Sequence, residues 1–243
     1  MSKKAIIVAG GWPGHEPDKL SVRFKKMLEN EDFEVNIHNE LEVYGDKEYL
    51  MQQNLIIPMW TQGELYDEYH FNISRAVESG VGLAGIHGGM CDSFRWNTCW
   101  QFMTGAQWVS HPGVKWYDNP SVLDPELMAR HPVPPGGFDI EYTVNIDRNS
   151  SSPITEGIED FTITSEQYYL HVDPANHVLA TTIVKDGEGP HNANGPVTMP
   201  VVFTRLWGKG KIFYSSLGHL DHFFDDIPQI AELTRRGFLW AAK

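Results

Sequence analysis

A short apolar run that ends in a histidine and two glycines constrains this chain more than any other stretch. Residues 80–94 read GVGLAGIHGGMCDSF. The run over 81–86 predicts a buried strand, and Gly88 and Gly89 favour a tight turn because glycine has no Cβ atom to restrict its backbone angles. A helix is expected after the turn, since apolar residues then recur at helical spacing: Trp96, Trp100 and Met103. His87 therefore lies at a sharp strand-to-helix corner.

The residue type at this corner narrows the chemistry. In open α/β sheets such a corner holds a reactive side chain above the carboxyl ends of the strands. Here the side chain is His87, neither serine nor cysteine. An imidazole titrates near neutral pH, so it suits general acid–base catalysis, and it also ligates metal ions. Cys91 lies four residues later, inside the expected helix, where a packing role is favoured. Catalysis by a cysteine thiolate is therefore disfavoured.

Strands and helices alternate through the first hundred residues. Apolar or alternating runs predict strands at 5–8, 33–38 and 54–59, and apolar residues at helical spacing predict helices over about 20–28 and 63–79. Repeated alternation of short apolar strands with helices implies a parallel sheet with right-handed crossovers. The fold class is therefore α/β, with a mainly parallel sheet.

The pattern changes after about residue 105. Residues 113–137 are rich in proline and weakly periodic, which indicates a long surface excursion. Further strands and a last helix are predicted at 138–146, 161–169, 178–184, 201–206, 212–216 and 227–241. The strands on either side of the 207–210 turn form the clearest hairpin. No repeat or linker is evident, so a single domain over 1–243 is expected, with an insertion at about 113–150.

Composition excludes several classes of protein. The formal net charge is −13 over 243 residues, which argues against nucleic acid and membrane as partners because both attract a surplus of Lys and Arg. No apolar run approaches the roughly 20 residues that span a bilayer. The apolar run near the start, over 5–9, is too short for a signal peptide and is better explained by a first strand.

The two cysteines point to a reducing compartment. Cys91 and Cys99 are eight residues apart. On one helix they would be separated by about 12 Å, whereas a disulfide needs Cα atoms within about 7 Å. Two free thiols and a cytoplasmic location are therefore expected.

Motifs across the chain together resemble one family. The stretches that carry the resemblance are Gly14-His15, 82–89 (GLAGIHGG), Gly105 with His111-Pro112, 152–157 (SPITEG), 166–168 (EQY), 200–219 and 236–240. They are similar, in the same order, to the ThuA-like family, which is named for trehalose utilisation and lies within the class I glutamine amidotransferase-like superfamily. The resemblance implies a flavodoxin-like three-layer core with additional strands and long loop insertions. It also implies a role in disaccharide or oxidised-sugar metabolism.

Candidate site residues follow two predicted strands. His15 and Glu16 come after the first strand, at the carboxyl edge where ligands bind in open sheets. His219 follows the strand over 212–216 and resembles the family's terminal Gly-His. Each imidazole could instead be an exposed loop side chain. Asp221 and His222 are further ligand-type residues in the same run, but their spacing lacks the helical geometry of a strong two-histidine metal motif.

A carboxylate and two more polar side chains complete the candidate set. Glu166 and Tyr168 lie two residues apart on a predicted strand, so they share a face. The resemblance favours a site role for Glu166, whereas the alternative is an ion pair at the surface. His111 precedes a proline, which keeps it extended. Structural and functional roles are both open for His111.

Aromatic residues at strand ends could form a sugar platform. Trp12 and Trp60 end two strands at the expected active edge, and Trp116 and Tyr117 fall in the excursion. An aromatic ring packs against the apolar face of a sugar while polar groups bind its hydroxyls. Three tryptophans at helical spacing are expected in the core instead: Trp96, Trp100 and Trp240. The 10–14 loop, GGWPG, is not a dinucleotide-binding loop.

Together these features predict a carbohydrate-processing enzyme that acts on a disaccharide or a 3-keto sugar. Isomerisation, elimination and hydrolysis all remain open. The catalytic acid–base pair would be His87 and Glu166. The expected substrate contacts are His15, Glu16, Trp12, Trp60, His111, Tyr168 and His219. A divalent, zinc-like metal ion could be held by His15, His87 and His219.

Two other functions are open. A metal-dependent hydrolase would use the same three histidines. A non-catalytic sugar-binding or regulatory protein could have kept the scaffold without a nucleophile, since one fold hosts many functions. The expected ligand is a small-molecule carbohydrate in each case, and association into a homo-oligomer is left open.

Overall fold

A nine-stranded sheet runs through the part of the chain that the structure describes. The structure is a computed structural model, and residues 2–112, 138–185 and 190–243 are described. The strands are β1 Lys3–Gly11, β2 Phe33–His38, β3 Leu55–Thr61, β4 Gly82–Ile86, β5 Ala106–Ser110, β6 Asp139–Ile146, β7 Phe161–Glu166, β8 Tyr169–Val172, β9 His177–Val184, β10 Val197–Trp207 and β11 Gly210–Ser215. The large sheet has the order β2-β1-β3-β4-β11-β10-β9-β6-β7, and β5 pairs with β8 in a small second sheet.

The large sheet has a parallel part and an antiparallel part. Strands β2, β1, β3, β4 and β11 run parallel to one another. Strands β10, β9, β6 and β7 extend the sheet by antiparallel pairing from β11. The predicted hairpin is confirmed as β10 and β11, joined at Trp207 and Gly210.

Helices cover both faces of the sheet. They are α1 Pro17–Glu29, α2 Lys47–Met51, α3 Asp67–Ser79, α4 Gly88–Cys91, α5 Thr98–Thr104, α6 Phe223–Asp226 and α7 Pro228–Ala241. Because side chains alternate across a strand, Ile7 of β1 packs in the core with α1 and α7 whereas its neighbour Ile6 packs in the core with α3. The result is three layers, and the predicted α/β class with a flavodoxin-like core is confirmed.

Local sequence sets where several helices begin and end. Pro17 and Pro228 occupy the first positions of α1 and α7, where the missing N–H of proline costs no helical hydrogen bond. Gly80 ends α3 with a φ of 121°, which a side chain would disfavour. Helix α3 begins at Asp67, four residues later than the sequence predicts.

The prediction of a single helix after His87 is wrong. Helix α4 stops at Cys91, and a separate helix α5 begins at Thr98. The interruption has two local causes. Phe94 adopts a φ of 50°, and the side chain of Asn97 caps a new helix by accepting a hydrogen bond from the backbone N–H of Trp100 at 2.9 Å. Trp96, expected in the core, lies between the two helices and is 81% exposed.

The structure also modifies the predicted strand over 161–169 and the predicted insertion. The strand expected over 161–169 is two strands, because β7 ends at Glu166 and β8 begins at Tyr169. Of the expected insertion at about 113–150, residues 113–137, with Trp116 and Tyr117, lie outside the described residues. Residues 139–146 form β6 within the large sheet.

The cysteines are free, as expected. Cys91 is buried in α4 and Cys99 is exposed in α5, so they lie on two helices rather than one. Within the described ranges, no helix combines the length and apolar character needed to cross a bilayer.

Substitution of Phe238 tests the assignment of the core beneath β4 and β11. Its ring is fully buried and packs edge-on against Phe24 at 5.1 Å and Phe213 at 6.4 Å between ring centres. Phe238→Ala should lower the free energy of unfolding by about 3–5 kcal/mol, because it removes apolar contacts and leaves a cavity. Urea denaturation measures the change. Leu206→Ala is the control: this side chain is exposed, and a change as large as that for Phe238→Ala would contradict the assignment of the core.

Candidate active site

The corner after β4 holds His87 in a backbone conformation that side chains rarely adopt. His87 has φ 45° and ψ −134°, which costs of order 1–3 kcal/mol and persists only where surrounding contacts enforce it. Two contacts do so here. The backbone N–H of His87 donates to the Ser215 carbonyl at 2.7 Å, and the Tyr214 hydroxyl donates to the His87 carbonyl at 3.0 Å. Both partners belong to β11, the parallel neighbour of β4.

The two glycines after His87 are required by close packing. A Cβ atom on Gly88 would lie 2.4 Å from the imidazole ring of His15. A Cβ atom on Gly89 would lie 3.0 Å from Cα of Met59. The corner therefore lies directly against the loop after β1 and against β3. This contact brings His15 beside His87, with 4.6 Å between ring centres.

Both ring nitrogens of His87 face an oxygen atom. Nδ1 lies 2.8 Å from the carbonyl oxygen of Ser216. A carbonyl oxygen only accepts hydrogen bonds, so Nδ1 carries the proton and donates. Nε2 lies 3.1 Å from Oε2 of Glu166. The ring also stacks on Tyr168 at 4.1 Å and on His219 at 5.0 Å, and His87 is only 2% exposed.

Glu166 is the centre on which the other side chains converge. Oε2 of Glu166 lies 3.1 Å from Nε2 of His87, 3.1 Å from Nε2 of His111 and 3.8 Å from Nε2 of His15. Oε1 lies 3.7 Å from Nε2 of His219. Glu166 is the last residue of β7 and is 4% exposed. Four imidazoles from four separate chain segments therefore surround one buried carboxylate.

Burial and the surrounding imidazoles shift the pKa of Glu166 in opposite directions. Burial alone would raise the pKa of this carboxyl group, but the charge and hydrogen bond of His111, with hydrogen bonds from His15 and His87, lower the pKa below its usual range. Glu166 is therefore a carboxylate at neutral pH.

Burial has the opposite effect on two of the imidazoles. Desolvation lowers the pKa of His15 to about 4 and that of His219 to about 3, despite the nearby carboxylate. These two rings are therefore neutral at neutral pH, and in each of them one ring nitrogen carries a lone pair. Nδ1 of His15 lies 2.8 Å from the hydroxyl of Thr61, which fixes the orientation of this ring.

Tyr168 and His111 contact each other beside Glu166, with 5.5 Å between ring centres. Tyr168 is buried and stacked on His87, so it supports that ring rather than forming an open surface. The prediction that Tyr168 and Glu166 lie on one face of a single strand is wrong, because β7 ends at Glu166. His111 stacks on Phe138 at 4.6 Å with 5° between the ring planes.

Two of the three remaining predicted contacts are not in the cluster. Trp12 lies at its rim, 41% exposed and edge-on to His15 at 4.7 Å. Trp60 instead packs closely beneath Gly10, where a Cβ atom would lie 2.4 Å from the indole ring. Glu16 pairs with Lys19 and accepts a hydrogen bond from the backbone N–H of Asp221 at 3.0 Å. Glu16 thus fixes the loop that carries His219.

Three other residues that the sequence analysis considered have structural contacts outside the cluster. Asp221 forms an ion pair with Arg23, and His222 bonds to Asp226 at 2.8 Å. Cys91 is buried, and burial raises the pKa of its thiol well above the usual value. Such a thiol is a poor nucleophile, which agrees with its expected packing role.

Comparison with known proteins gives the family. The profile described as ThuA, trehalose utilisation, matches residues 4–241. The chain belongs to the ThuA family. No curated protein matches the chain in sequence.

Solved structures of ThuA-like proteins share the fold. A ThuA-like protein from Parabacteroides merdae is 21% identical, with a TM-score of 0.70 over 100% of this chain and 91% of that one. A ThuA-like protein from Bacteroides uniformis is 20% identical, with a TM-score of 0.67 over 98% and 91%. A cytoplasmic protein from Salmonella typhimurium LT2 is 12% identical, with a TM-score of 0.64 over 99% and 100%. At these identities the likeness shows the fold alone.

Asp139 is a site residue of this ThuA protein that the sequence did not indicate. Its Oδ1 atom lies 3.9 Å from Nδ1 of His219. Asp139 begins β6 and pairs in register with Glu166 of β7. Since Asp139 and its partner Glu166 are 27 residues apart in the sequence, no local pattern reveals the pairing. Thr61, which orients His15, was also missed.

Four donors in this ThuA site have the composition of a metal centre. His15, His87, Glu166 and His219 each offer one ligand atom, and these atoms lie within 4.8 Å of one another. This is the predicted trio of histidines with Glu166 added. Imidazole nitrogens and carboxylate oxygens are both zinc ligands.

Gly88→Ala tests the contact that positions His15. Gly88 does not have a positive φ, so alanine fits the backbone, and the nearest neighbours of its methyl group are the His15 ring and Thr61. We expect a crystal structure of the variant to show the His15 ring displaced from Thr61 and Glu166. The free energy of unfolding should fall by about 1–3 kcal/mol. Gly45→Ala, which would contact only the Tyr69 ring, should leave His15 in place. An unmoved His15 in Gly88→Ala would contradict this packing.

Proposed function

We propose that this protein is an enzyme of sugar utilisation that moves a proton next to the carbonyl group of an oxidised sugar, such as a 3-keto disaccharide. The family description, trehalose utilisation, supports a sugar as the substrate. The reaction class is supported by the groups that converge at Glu166. We further propose a cytoplasmic location, for which the free cysteines are the support.

The convergence of four imidazoles on one buried carboxylate carries this proposal. Removing a charged group from water is costly unless it is paired. An apolar side chain at position 166 would fill the same space without that cost. Titratable groups with strongly shifted pKa values cluster at functional sites. The cluster also lies where the carboxyl ends of β1, β4 and β11 meet, the edge at which open sheets bind ligands.

The geometry favours different roles for the residues than the sequence suggested. Both ring nitrogens of His87 are occupied, since Nδ1 is held by Ser216 and Nε2 faces Glu166. We therefore assign His87 to holding Glu166 in place rather than to contacting the substrate. His111, next to the segment that begins at Phe138, bonds the same carboxylate at 3.1 Å. The proposed proton-moving pair is thus Glu166 and His111.

The proposed step is balanced within this set of groups. The carboxylate of Glu166 accepts a proton from the carbon next to the sugar carbonyl. The electron pair of the broken C–H bond forms a carbon–carbon double bond, and the carbonyl oxygen gains a negative charge. Donors around the site stabilise that charge. In an isomerisation, the proton returns to the former carbonyl carbon while the hydroxyl on the first carbon gives its proton to the former carbonyl oxygen, so that the carbonyl moves by one carbon. In an elimination, the carbonyl re-forms, the bond from carbon to a leaving oxygen breaks, and that oxygen takes the proton.

Trp12 supports a sugar rather than another carbonyl compound as the substrate. Its indole is the exposed aromatic ring beside His15. An indole packs on the apolar face of a sugar ring. Tyr168 is buried and Trp60 is packed against Gly10, so neither is proposed as a substrate contact.

Exchange of hydrogen for deuterium tests this function directly. The protein is incubated in deuterated water with a 3-keto disaccharide or with its unoxidised parent, and NMR follows deuterium next to the carbonyl. We expect exchange with the keto sugar alone. Glu166→Gln should slow it by about 10²–10⁴-fold, the usual contribution of general acid–base catalysis. Glu159→Gln is the matched control, since Glu159 is exposed and pairs with Arg148.

Two outcomes would contradict the proposal. Full exchange in Glu166→Gln would remove Glu166 from the reaction. Binding of the keto sugar by calorimetry with no exchange would instead assign the chain as a sugar-binding protein.

A further inference from the structure

We infer that His15, His87, His219 and Glu166 bind one divalent transition-metal ion of the zinc class. The inference rests on the site of the proposed function and deepens it by naming a cofactor. Such an ion would supply a Lewis acid beside the carbonyl oxygen of the substrate.

The pairing of His87 with Glu166 is the first observation. Nδ1 of His87 donates its proton to Ser216. In a neutral ring, Nε2 then presents a lone pair to the carboxylate of Glu166, 3.1 Å away. Two acceptors at this distance repel each other unless a positive charge lies between them. Either a proton on Nε2 or a metal ion removes the conflict.

The other two histidines favour the metal ion. Nε2 of His15 and Nε2 of His219 lie 3.8 and 3.7 Å from the same carboxyl group. When their protons are on Nδ1, these two rings also present a lone pair to the carboxyl group, and a single ion binds all three lone pairs. Ligand atoms on a tetrahedral zinc ion, each about 2.1 Å from it, are separated by about 3.4 Å. The distances from the carboxyl group to the three ring nitrogens, 3.1 and 3.8 Å at Oε2 and 3.7 Å at Oε1, are close to that value.

The second nitrogen of each ring provides an independent observation. A metal-bound histidine characteristically has its other ring nitrogen held by a carbonyl, a carboxylate or water. Here Nδ1 of His87 is held by a backbone carbonyl and Nδ1 of His15 by the Thr61 hydroxyl. Nδ1 of His219 is buried without a hydrogen bond and faces Asp139 at 3.9 Å. A contraction of about 1 Å would complete this third contact.

Glu166, the fourth ligand, is also held by a neighbouring polar group. His111 contacts Oε2 of Glu166 at 3.1 Å, on the oxygen further from His219. Oε1, which lies 3.7 Å from Nε2 of His219, is therefore left to bind the ion while Oε2 stays with His111. This arrangement keeps the proposed proton-moving pair together.

Metal titration of the full chain tests the inference. The untagged protein is stripped with a chelator and titrated with Zn²⁺ in competition with a chromophoric chelator. We expect one Zn²⁺ per chain, and His219→Ala should weaken binding at least about 100-fold. His222→Ala is the control, because this exposed ring on the same loop bonds Asp226. Its affinity should match that of the unsubstituted protein.

Two further measurements separate loss of a ligand from loss of the fold. Circular dichroism should be unchanged in His219→Ala, whose side chain lies near the surface. Asp139→Ala keeps all four ligands and should weaken binding about 10-fold, as expected of a group that orients a ligand. X-ray absorption at the zinc edge should show nitrogen and oxygen ligands at about 2.0–2.1 Å.

The outcomes distinguish this inference from the proposed function. Absence of stoichiometric binding, an equal loss in His222→Ala or a sulfur ligand would overturn the metal site. Full deuterium exchange by the metal-free protein would also overturn the metal's part in the reaction and leave the proposed function standing. Stoichiometric Zn²⁺ binding without action on any keto sugar would overturn the proposed function and leave the metal site standing.

Discussion

The placement of one ionised carboxylate inside the protein is the constraint on which the site depends. Glu166 is almost fully buried, and its charge is tolerated because imidazoles replace the water that it has lost. The same burial keeps His15 and His219 neutral. Charge and lone pairs are therefore concentrated in a small volume.

The fold assembles this cluster from residues far apart in sequence. His15 follows β1, His87 follows β4 and His219 follows β11, so parallel strands deliver three rings to one edge of the sheet. Glu166 arrives from β7, at the far end of the sheet order, and reaches the same place at the end of its strand. The strained corner at His87 and the adjacent glycines allow the segments to approach closely enough to share one carboxylate.

Residues whose position depends on local pattern were predictable. The spacing of glycines around His87 gave the corner, and the edge rule for parallel sheets placed His15 and His219 near it. Glu166 came from family resemblance, since its strand order cannot be read from periodicity. The inference that Glu166 and Tyr168 share a strand face failed because the strand ends between them.

Residues whose position depends on non-local packing were not predictable. Asp139 reaches the site through the pairing of β6 with β7, which the sequence does not encode locally. Trp60 is partly buried against Gly10, whose missing Cβ atom leaves space for the indole ring. Trp96 has helical spacing to Trp100, but the cap provided by Asn97 starts a new helix and leaves Trp96 in solvent.

The central claim is that four imidazoles share one carboxylate, and NMR of the histidine ring nitrogens tests it most directly. Long-range ¹H–¹⁵N spectra of the metal-free protein and of Glu166→Gln are compared. The account predicts a proton on Nδ1 of His87 and coincident changes in four rings: His15, His87, His111 and His219. The rings of His70, His177 and His222 should be unaffected. Changes confined to one ring, or a proton absent from Nδ1 of His87, would contradict it.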